Sequence, residues 1–586
     1  MPYVVVDGVA KYVPGVYNRF QVVSSLPGPA PDFMIPVLLG GAPSGHPYNA
    51  DASKQVQESR YTPFSLQYTA DGVKSYFGED SDVGIAMTSA KKKALPFAYV
   101  ANLAALTRAS VIVTSTGPVN QYTLLPRKWG APSNHIKIKA ASGTSLEFTP
   151  LKHFSMATTN IGTTDTRIYV KDNSWVRVGQ VITIGDNATT NVTKTVLTTG
   201  FEFTSAGQKR PYVDLTAAVG SAFTTANYAL ILEYDANTES SGTLADAQAQ
   251  IDWVNQFSKL FIAVKHAAFT NPAAIVALAS ATVLKDISAW STVTKGTSPA
   301  PTASDYTAFV ALMEASAWDQ FIQDTGTKPQ SFYIADSSST IHGTMRDWAT
   351  DKRAEGNNIS MTTGCAWGDT VVSAGNDTDP GFRGAALNSQ DFMICAPGLD
   401  KIAAYLSLGP QVWASRVRGG VGHNLTSDSI VYTEVEKVWD ERVSGHLTLL
   451  HKKGVCTIRL SEATKRYVIS EGLSTLQQNA SAWNTVTNDT CLVMQRDLAD
   501  FNARVMTDGL DGSQLGADAV SPETVAAVAV TRGQFLEKIG TLQKGTFRIV
   551  SITLNESGAG YDVVWAGKPP VSNDFMVVTC QILVGE

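Results

Sequence analysis

Ser304-Asp305-Tyr306-Thr307-Ala308-Phe309-Val310-Ala311-Leu312-Met313, then Phe332-Tyr333-Ile334-Ala335-Asp336, then the stretch from His342 to Arg353, decide the fold class. Tyr306, Phe309, Val310, Met313 and the later Phe321 recur at helical spacing behind Ser304, a residue suited to capping a helix. The apolar run 332–336 reads as a strand and the stretch after it as a second helix. The same alternation appears upstream. Thr243 is placed to cap a helix carrying Leu244, Ile251 and Val254 on one face, which leads into the strand Leu260-Phe261-Ile262-Ala263-Val264. Near the start, Ile35-Pro36-Val37-Leu38-Leu39 and Val111-Ile112-Val113 read as further buried strands. Strands alternating with helices imply a sheet with helices packed on it.

The text changes character between about 131 and 240. Short runs such as Leu146-Glu147-Phe148, Arg167-Ile168-Tyr169-Val170, Val181-Ile182-Thr183-Ile184 and Phe201-Glu202-Phe203 alternate with Asp172-Asn173-Ser174, Gly185-Asp186-Asn187 and Ser205-Ala206-Gly207. Regularly spaced short strands between such turns predict an all-β domain inserted between α/β halves. Its Thr, Asn and Ser content predicts an outward position. From about 430 the pattern shifts again: Glu434, Val435, Val438 and Trp439 read as a helix, while Val455 to Leu460 and Tyr467 to Ser470 read as paired strands. Ser521-Pro522-Glu523-Thr524 is a helix start. Phe547 to Leu554, Tyr561 to Trp565 and Phe575 to Val584 are strands. The resulting division is a linking arm over 1–25, α/β segments over 26–130 and 241–430, the insertion over 131–240, a C-terminal domain over 431–565 and a final strand over 566–586. The fold class is α+β (mixed α/β), multidomain, with extended arms at both ends.

A chain of 586 residues predicts about four domains at roughly 150 residues each. Charged residues make up 17%, against about 25% in an average globular domain, so much of the surface is expected to become interface. The net charge of −6 argues against a dedicated nucleic-acid binder. No apolar run approaches the roughly 18 residues of a membrane span. Met1-Pro2-Tyr3 does not open a secretory signal. The five cysteines, Cys365, Cys395, Cys456, Cys491 and Cys580, form no CxxC pair, which fits buried thiols in a reducing compartment.

The search for chemistry yields no HExxH, no Walker lysine loop and no GxSxG elbow. No two of the eight histidines stand three or four residues apart. Arg416-Val417-Arg418-Gly419-Gly420-Val421-Gly422-His423 imitates a phosphate loop, but it lacks the lysine and reads as a flexible interface loop. Lys91-Lys92-Lys93 reads as a solvated helix face, with an acidic partner as the alternative. The Asn-x-Ser/Thr triplets follow from composition. Glu434/Glu436 and Asp440/Glu441 read as the wet side of a helix. No catalytic residue, metal ligand or cofactor is assigned.

The ends are more informative. Met576, Val578, Cys580, Ile582 and Val584 share one side of a strand, and Phe575, Val577, Thr579, Gln581 and Leu583 stand on the other, which is also largely apolar. A strand apolar on both faces needs cover on both. That cover can come from its own domain or from a neighbouring molecule. Tyr3, Val4, Val5 and Val6 form a second strand-like run at the opposite end, followed by Asp7-Gly8. Two such termini suit strand addition between subunits.

Several motifs then line up in a familiar order. Pro14-Gly15-Val16-Tyr17 resembles the N-terminal PGVY signature of contractile phage tail sheath proteins, relatives of R-type pyocin and type VI secretion sheaths. Ser65 to Phe77, with Asp71-Gly72 and Tyr76-Phe77-Gly78, resembles that family's early strand and helix. Glu434-Val435-Glu436, Gly454-Val455, the run Val468 to Leu476, Trp483 and Val493-Met494-Gln495-Arg496-Asp497-Leu498 are similar to its C-terminal third. The resemblance covers about 1–125 and 300–586. The family's P-P-S-G segment is poorly reproduced around Ala396-Pro397-Gly398-Leu399.

The resemblance implies a non-enzymatic subunit of a virion tail, assembled in the host cytoplasm. Copies stack as hexameric rings in a helix around a tail tube protein, bounded by baseplate and tail terminator proteins, and contraction drives the tube through the host envelope. No nucleic acid, membrane insertion or cofactor is expected. Subunit-linking residues are expected at Tyr3, Val4, Val5, Val6, Gly15, Val16, Tyr17, Met576, Val578, Cys580, Ile582 and Val584. Hinges are expected at Gly567, Pro569 and Pro570. Arg496, Asp497, Asp500 and Arg504 are candidates to face the tube, an intrahelical ion pair between the last two being the alternative. The competing readings are another virion component, such as a capsid or baseplate protein, and a carbohydrate-binding protein using Trp175 and Tyr169 of the insertion.

Overall fold

The computed structural model describes residues 4–6, 9–11, 34–48, 64–141, 145–204, 209–326, 328–355, 357, 359–366, 375–419, 425, 428–435, 446–461, 464–470, 472–477, 522–538, 542–554 and 561–567. Its centre is a seven-stranded sheet. The strand order is Val455–Cys456, Phe392–Cys395, Ser360–Gly364, Ser331–Ala335, Pro36–Gly40, Ala98–Asn102 and Ser65–Gln67. All neighbours are parallel except the edge strand Ser65–Gln67. From Pro36–Gly40 the chain goes to the far edge strand Ser65–Gln67 and returns to Ala98–Asn102 between the two. It then crosses to Ser331–Ala335 on the other side and runs outward to Val455–Cys456, so the order of the parallel strands reverses at Pro36–Gly40 as in doubly wound sheets. Every residue of Pro36–Gly40, Ser331–Ala335, Ser360–Gly364 and Phe392–Cys395 is buried. Such strands need helices on both faces.

Alternation sends their side chains into two cores. Val37, Leu39, Phe332, Ile334 and Met361 pack with Tyr306, Phe309, Met313, Trp318 and Trp348 from the helices Ala303–Leu312, Trp318–Thr325 and Ser339–Ala354. Leu38, Tyr333 and Val100 pack on the other face with Val73, Phe77, Met87 and Trp413 from the helices Ala70–Phe77, Asp82–Lys91 and Leu408–Gly419. Of the apolar positions read at helical spacing, Tyr306, Phe309, Met313 and Phe321 are buried in this way and Val310 is partly buried against the same core; a π turn at Met313–Ala317 separates the two helices.

Two starts differ from the sequence reading. The helix expected behind Thr243 is capped by Asp246, whose carboxylate accepts from Ala249 N–H at 2.8 Å, and spans Ala247–Phe257. The helix expected behind Ser304 is capped by Thr302, whose N–H and hydroxyl both donate to Asp305, at 2.8 and 2.7 Å. At the first start the Asp246 carboxylate is the cap; at the second Asp305 stands at the third helical position and accepts from the Thr302 cap, as in a capping box.

Between Asn102 and Ala303 the chain leaves the central sheet and builds a second body in two parts. One part pairs Phe261–Lys265, Asn120–Pro126, Ser110–Thr114 and Ser291–Thr294, and beside it Glu239–Ser240, Leu146–Thr149, Lys137–Ala140 and Leu278–Val283. Its core includes Val111, Val113, Tyr122, Leu124, Phe148, Ile251, Val254 and Trp290. The other part is a six-stranded antiparallel sheet ordered Leu151–Met156, Leu230–Tyr234, Val181–Gly185, Val192–Phe203, Lys209–Leu215 and Arg167–Tyr169. Its own core holds Ile168, Val170, Trp175, Ile182, Ile184, Val213 and Ile231.

Glu434 and Val435, read as helical, are extended: Val435 forms a β-bridge with Leu399, and Asp400 holds this segment by accepting from Thr433 and Glu434 N–H groups at 2.6 and 2.8 Å. Val455–Cys456 joins the central sheet, while Ile458–Leu460 pairs antiparallel with Tyr467–Ile469.

Candidate assembly surfaces

The buried histidine and the cavity of the central body hold polar groups that already serve structure. His342 is fully buried: Nδ1 accepts from Arg383 at 2.9 Å and Nε2 faces the Asp336 carbonyl at 2.9 Å, while burial lowers its pKa to about 3 and keeps the ring neutral. A cavity of about 410 Å³ beside the π turn is lined by Glu314, Trp318, Asp319, Lys328, Lys352 and Glu355. Its lysines are already engaged, Lys352 with Glu314 and Glu355 and Lys328 with Asn357. Cys365, Cys395 and Cys456 are buried free thiols, and burial raises the Cys395 thiol well above the usual range. Among the described residues no three His, Cys, Asp or Glu side chains are grouped to hold a metal ion, and no helix is long and apolar enough to cross a membrane.

Two sequence readings of charge are corrected by packing. Lys91, Lys92 and Lys93 do not form one solvated face: at the end of the helix Asp82–Lys91, Lys91 Nζ donates to the Leu95 carbonyl and the buried Lys93 donates to the Ser429 carbonyl at 2.6 Å, while Lys92 alone is exposed, in an ion pair with Asp400 at 3.2 Å. Arg416 to Gly419 are the last turn of the helix Leu408–Gly419, with Arg416 buried, so no loop begins there; Gly420 to His423 lie outside the described residues. Trp175 belongs to the core of the six-stranded sheet, and Arg210 covers the Tyr169 ring at 3.5 Å.

The two ends of the described chain have a different character. Val4–Val6 pairs antiparallel with Val9–Lys11, in the register Val4 with Lys11, Val5 with Ala10 and Val6 with Val9. Near the other end, Arg548–Leu554 pairs antiparallel with Tyr561–Ala566, with a bulge between Ile549 and Ser551. The helix Pro522–Lys538 lies against this hairpin. Gly533 leaves room for the Phe547 ring, and Glu537 accepts from Phe547 N–H at 2.7 Å. Leu542 packs with Phe547 and Trp565. Val550 and Val564 remain exposed, at 59% and 50%. Among the described residues each pair stands as a sheet of two strands. Two strands alone are at best marginally stable in water and leave rows of peptide groups open to a further strand.

Of the expected hinges, Gly567 follows the second strand and faces Leu542, where a Cβ would come within 2.8 Å of the side chain. Pro569 and Pro570 lie outside the described residues, as do Tyr3, Gly15, Val16, Tyr17, Met576, Val578, Cys580, Ile582, Val584, Arg496, Asp497, Asp500 and Arg504. What the sequence reading did not single out is the Arg548–Ala566 hairpin as an open edge. The alternation of Ile549, Ser551 and Thr553 was available as a signal, but exposure of Val550 and Val564 follows only from the packing.

Neither a protein-family model nor a curated protein matches this sequence. Solved structures do. The sheath tail protein of Listeria innocua matches with a TM-score of 0.50 at 10% identity, over 93% of this chain and 94% of that one. The sheath tail protein of Desulfitobacterium hafniense aligns over 95% of this chain and 100% of its own, at 12% identity and a TM-score of 0.46. A chain of the contracted helical sheath of the anti-feeding prophage aligns over 49% of this chain and 77% of its own, at 11% identity and a TM-score of 0.35. The mixed α/β, multi-sheet fold of this chain is that of the sheath tail proteins, on the strength of the Listeria match.

Proposed function

We propose that this chain is the structural subunit of a contractile tail sheath, acting without enzymatic chemistry. Copies stack as rings around an inner tail tube, and shortening of the lattice drives the tube through a host envelope. The observation that carries this reading is the pair of two-stranded elements near the two ends of a chain that has the sheath tail fold. Each offers main-chain edges that a strand from another copy completes.

In this reading Tyr3 to Val6, Gly15 to Tyr17 and the alternating Met576, Val578, Cys580, Ile582 and Val584 link neighbours, and Gly567, Pro569 and Pro570 absorb the change in direction. Arg496, Asp497, Asp500 and Arg504 are proposed to face the tube. Subunits move as rigid bodies while the strands keep them connected. A difference of a few kcal/mol per subunit between two packings is multiplied by copy number, so no nucleotide is needed.

Removal of residues 570–586 tests the reading. The truncated chain is expected to keep its far-ultraviolet spectrum and its melting transition and to sediment as a monomer under conditions where the intact chain forms large particles. Equal particle formation by both chains would contradict the proposal.

A further inference from the structure

The six-stranded sheet meets the central body at a joint built from opposite charges. On the central side the chain leaves the helix Ala70–Phe77 through Gly78, Glu79, Asp80 and Ser81, and Asp82 opens the next helix. On the insertion side the strand Leu151–Met156 supplies His153, Phe154, Ser155 and Met156. His153 Nδ1 lies 2.5 Å from Glu79 Oε1, and its ring stacks on Trp175 at 5.4 Å. Met156 N–H donates to Asp80 Oδ2 at 2.6 Å, and the Ser155 hydroxyl donates to the same oxygen at 3.4 Å. Phe154 closes over Gly78, whose φ of 110° and lack of a side chain permit the approach; a Cβ there would stand 2.9 Å from the ring.

The balance of charge is uneven. Lys74 faces the joint from the first helix, Asp82 from the start of the second and Asp336 from the end of the central strand. Lys171 and Asp172 face it from the insertion. Five carboxylates therefore meet two lysines and one histidine. Asp80 is 0% exposed, and neither its Oδ1 nor the Glu79 Oε2 has a hydrogen-bond partner. A buried carboxylate oxygen without a partner is costly in its charged form.

We propose that this joint is a proton-operated clasp, in which proton uptake by Asp80, beside Glu79, removes an uncompensated buried charge and tightens the hold of the six-stranded domain on the central body. Burial pushes Asp80 up to about 6 from its ordinary 3.8, against the opposing pull of Lys171 and the Met156 N–H. Burial raises Glu79 as well, and His153 opposes it. The sign follows from linkage: a carboxyl raised in the folded state binds its proton more readily there than in the opened state. The clasp is therefore firm below about pH 4, weakens as pH rises through about 6, and is loosest above it. The two values correspond to on the order of a hundred-fold change in the opening equilibrium across that window.

Hydrogen exchange on the intact chain tests this, read on peptides spanning 153–157 and 170–173, corrected for intrinsic rates and referenced to the central strand 36–40. Protection at the joint is expected to rise about tenfold or more from pH 7 to pH 5 relative to the reference. Asp80→Asn should abolish the rise, and His153→Gln should preserve it. Protection that does not change with pH in the wild type, or a rise that survives Asp80→Asn, would overturn the proposal. Loss of the rise in His153→Gln would also overturn it, by assigning the proton to the imidazole. Should Asp80→Asn not fold, the wild-type profile and the His153→Gln chain still decide. No assembly is needed for any of these readings, so they stand apart from the sheath proposal.

Discussion

The central sheet and the Arg548–Ala566 hairpin are both β-structure, yet they solve the edge problem in opposite ways. The central sheet has helices over both faces, fully buried inner strands and short ends, three residues at Ser65–Gln67 and two at Val455–Cys456. The hairpin has one helix, a small apolar cluster around Leu542 and open edges among the described residues. The first kind of sheet is complete within one chain. In the proposed assembly, the second takes its missing cover from another chain. The difference separates what makes this protein fold from what would make it assemble, and substitutions in the two regions should fail in different ways.

The largest effect is expected in the central body. Trp413 is fully buried, and its indole N–H donates to Ser331 Oγ at 3.0 Å. Trp413→Ala should cost about 3–5 kcal/mol and lower the melting temperature sharply in calorimetry. Arg353→Met comes next. Arg353 forks onto the buried Asp391, with one contact at 2.8 Å, and removal of the guanidinium leaves that carboxylate without its cation, at a cost of about 3 kcal/mol. Gly364→Ala is smaller: its Cβ would collide with the Ala404–Tyr405 backbone, costing about 1–3 kcal/mol by denaturant titration. The smallest effect on stability, and the most telling, belongs to the hairpin. Val550→Ser with Val564→Ser should leave the melting temperature within the shift expected of about 0.5 kcal/mol while suppressing particle formation in light scattering. If instead the hairpin changes unfold the chain and leave assembly intact, the contrast between the two regions is wrong.

The parts of the fold legible in the sequence were those fixed by periodicity. Phe332 to Ala335 and Pro36 to Leu39 are strands because their apolar runs are short and bounded, and Tyr306, Phe309 and Met313 define a helix face. The strand order was not legible, because parallel pairing joins residues separated by hundreds of positions, as in Ser331 with Pro36. Charge was the least legible. Lys93 and Arg416 look solvent-exposed in a local window, yet tertiary neighbours bury both. No local pattern distinguishes Glu79 and Asp80, because their partners stand more than 70 residues away on the insertion. The terminal strand patterns were visible, but the residues that carry most of them lie outside the described part of the chain.

The most direct test of the central claim is electron microscopy of the purified full-length protein over a range of concentrations. The account predicts striated hollow tubes built from stacked rings. Closed shells, or a monodisperse monomer at every concentration even when a tail tube is supplied, would contradict it.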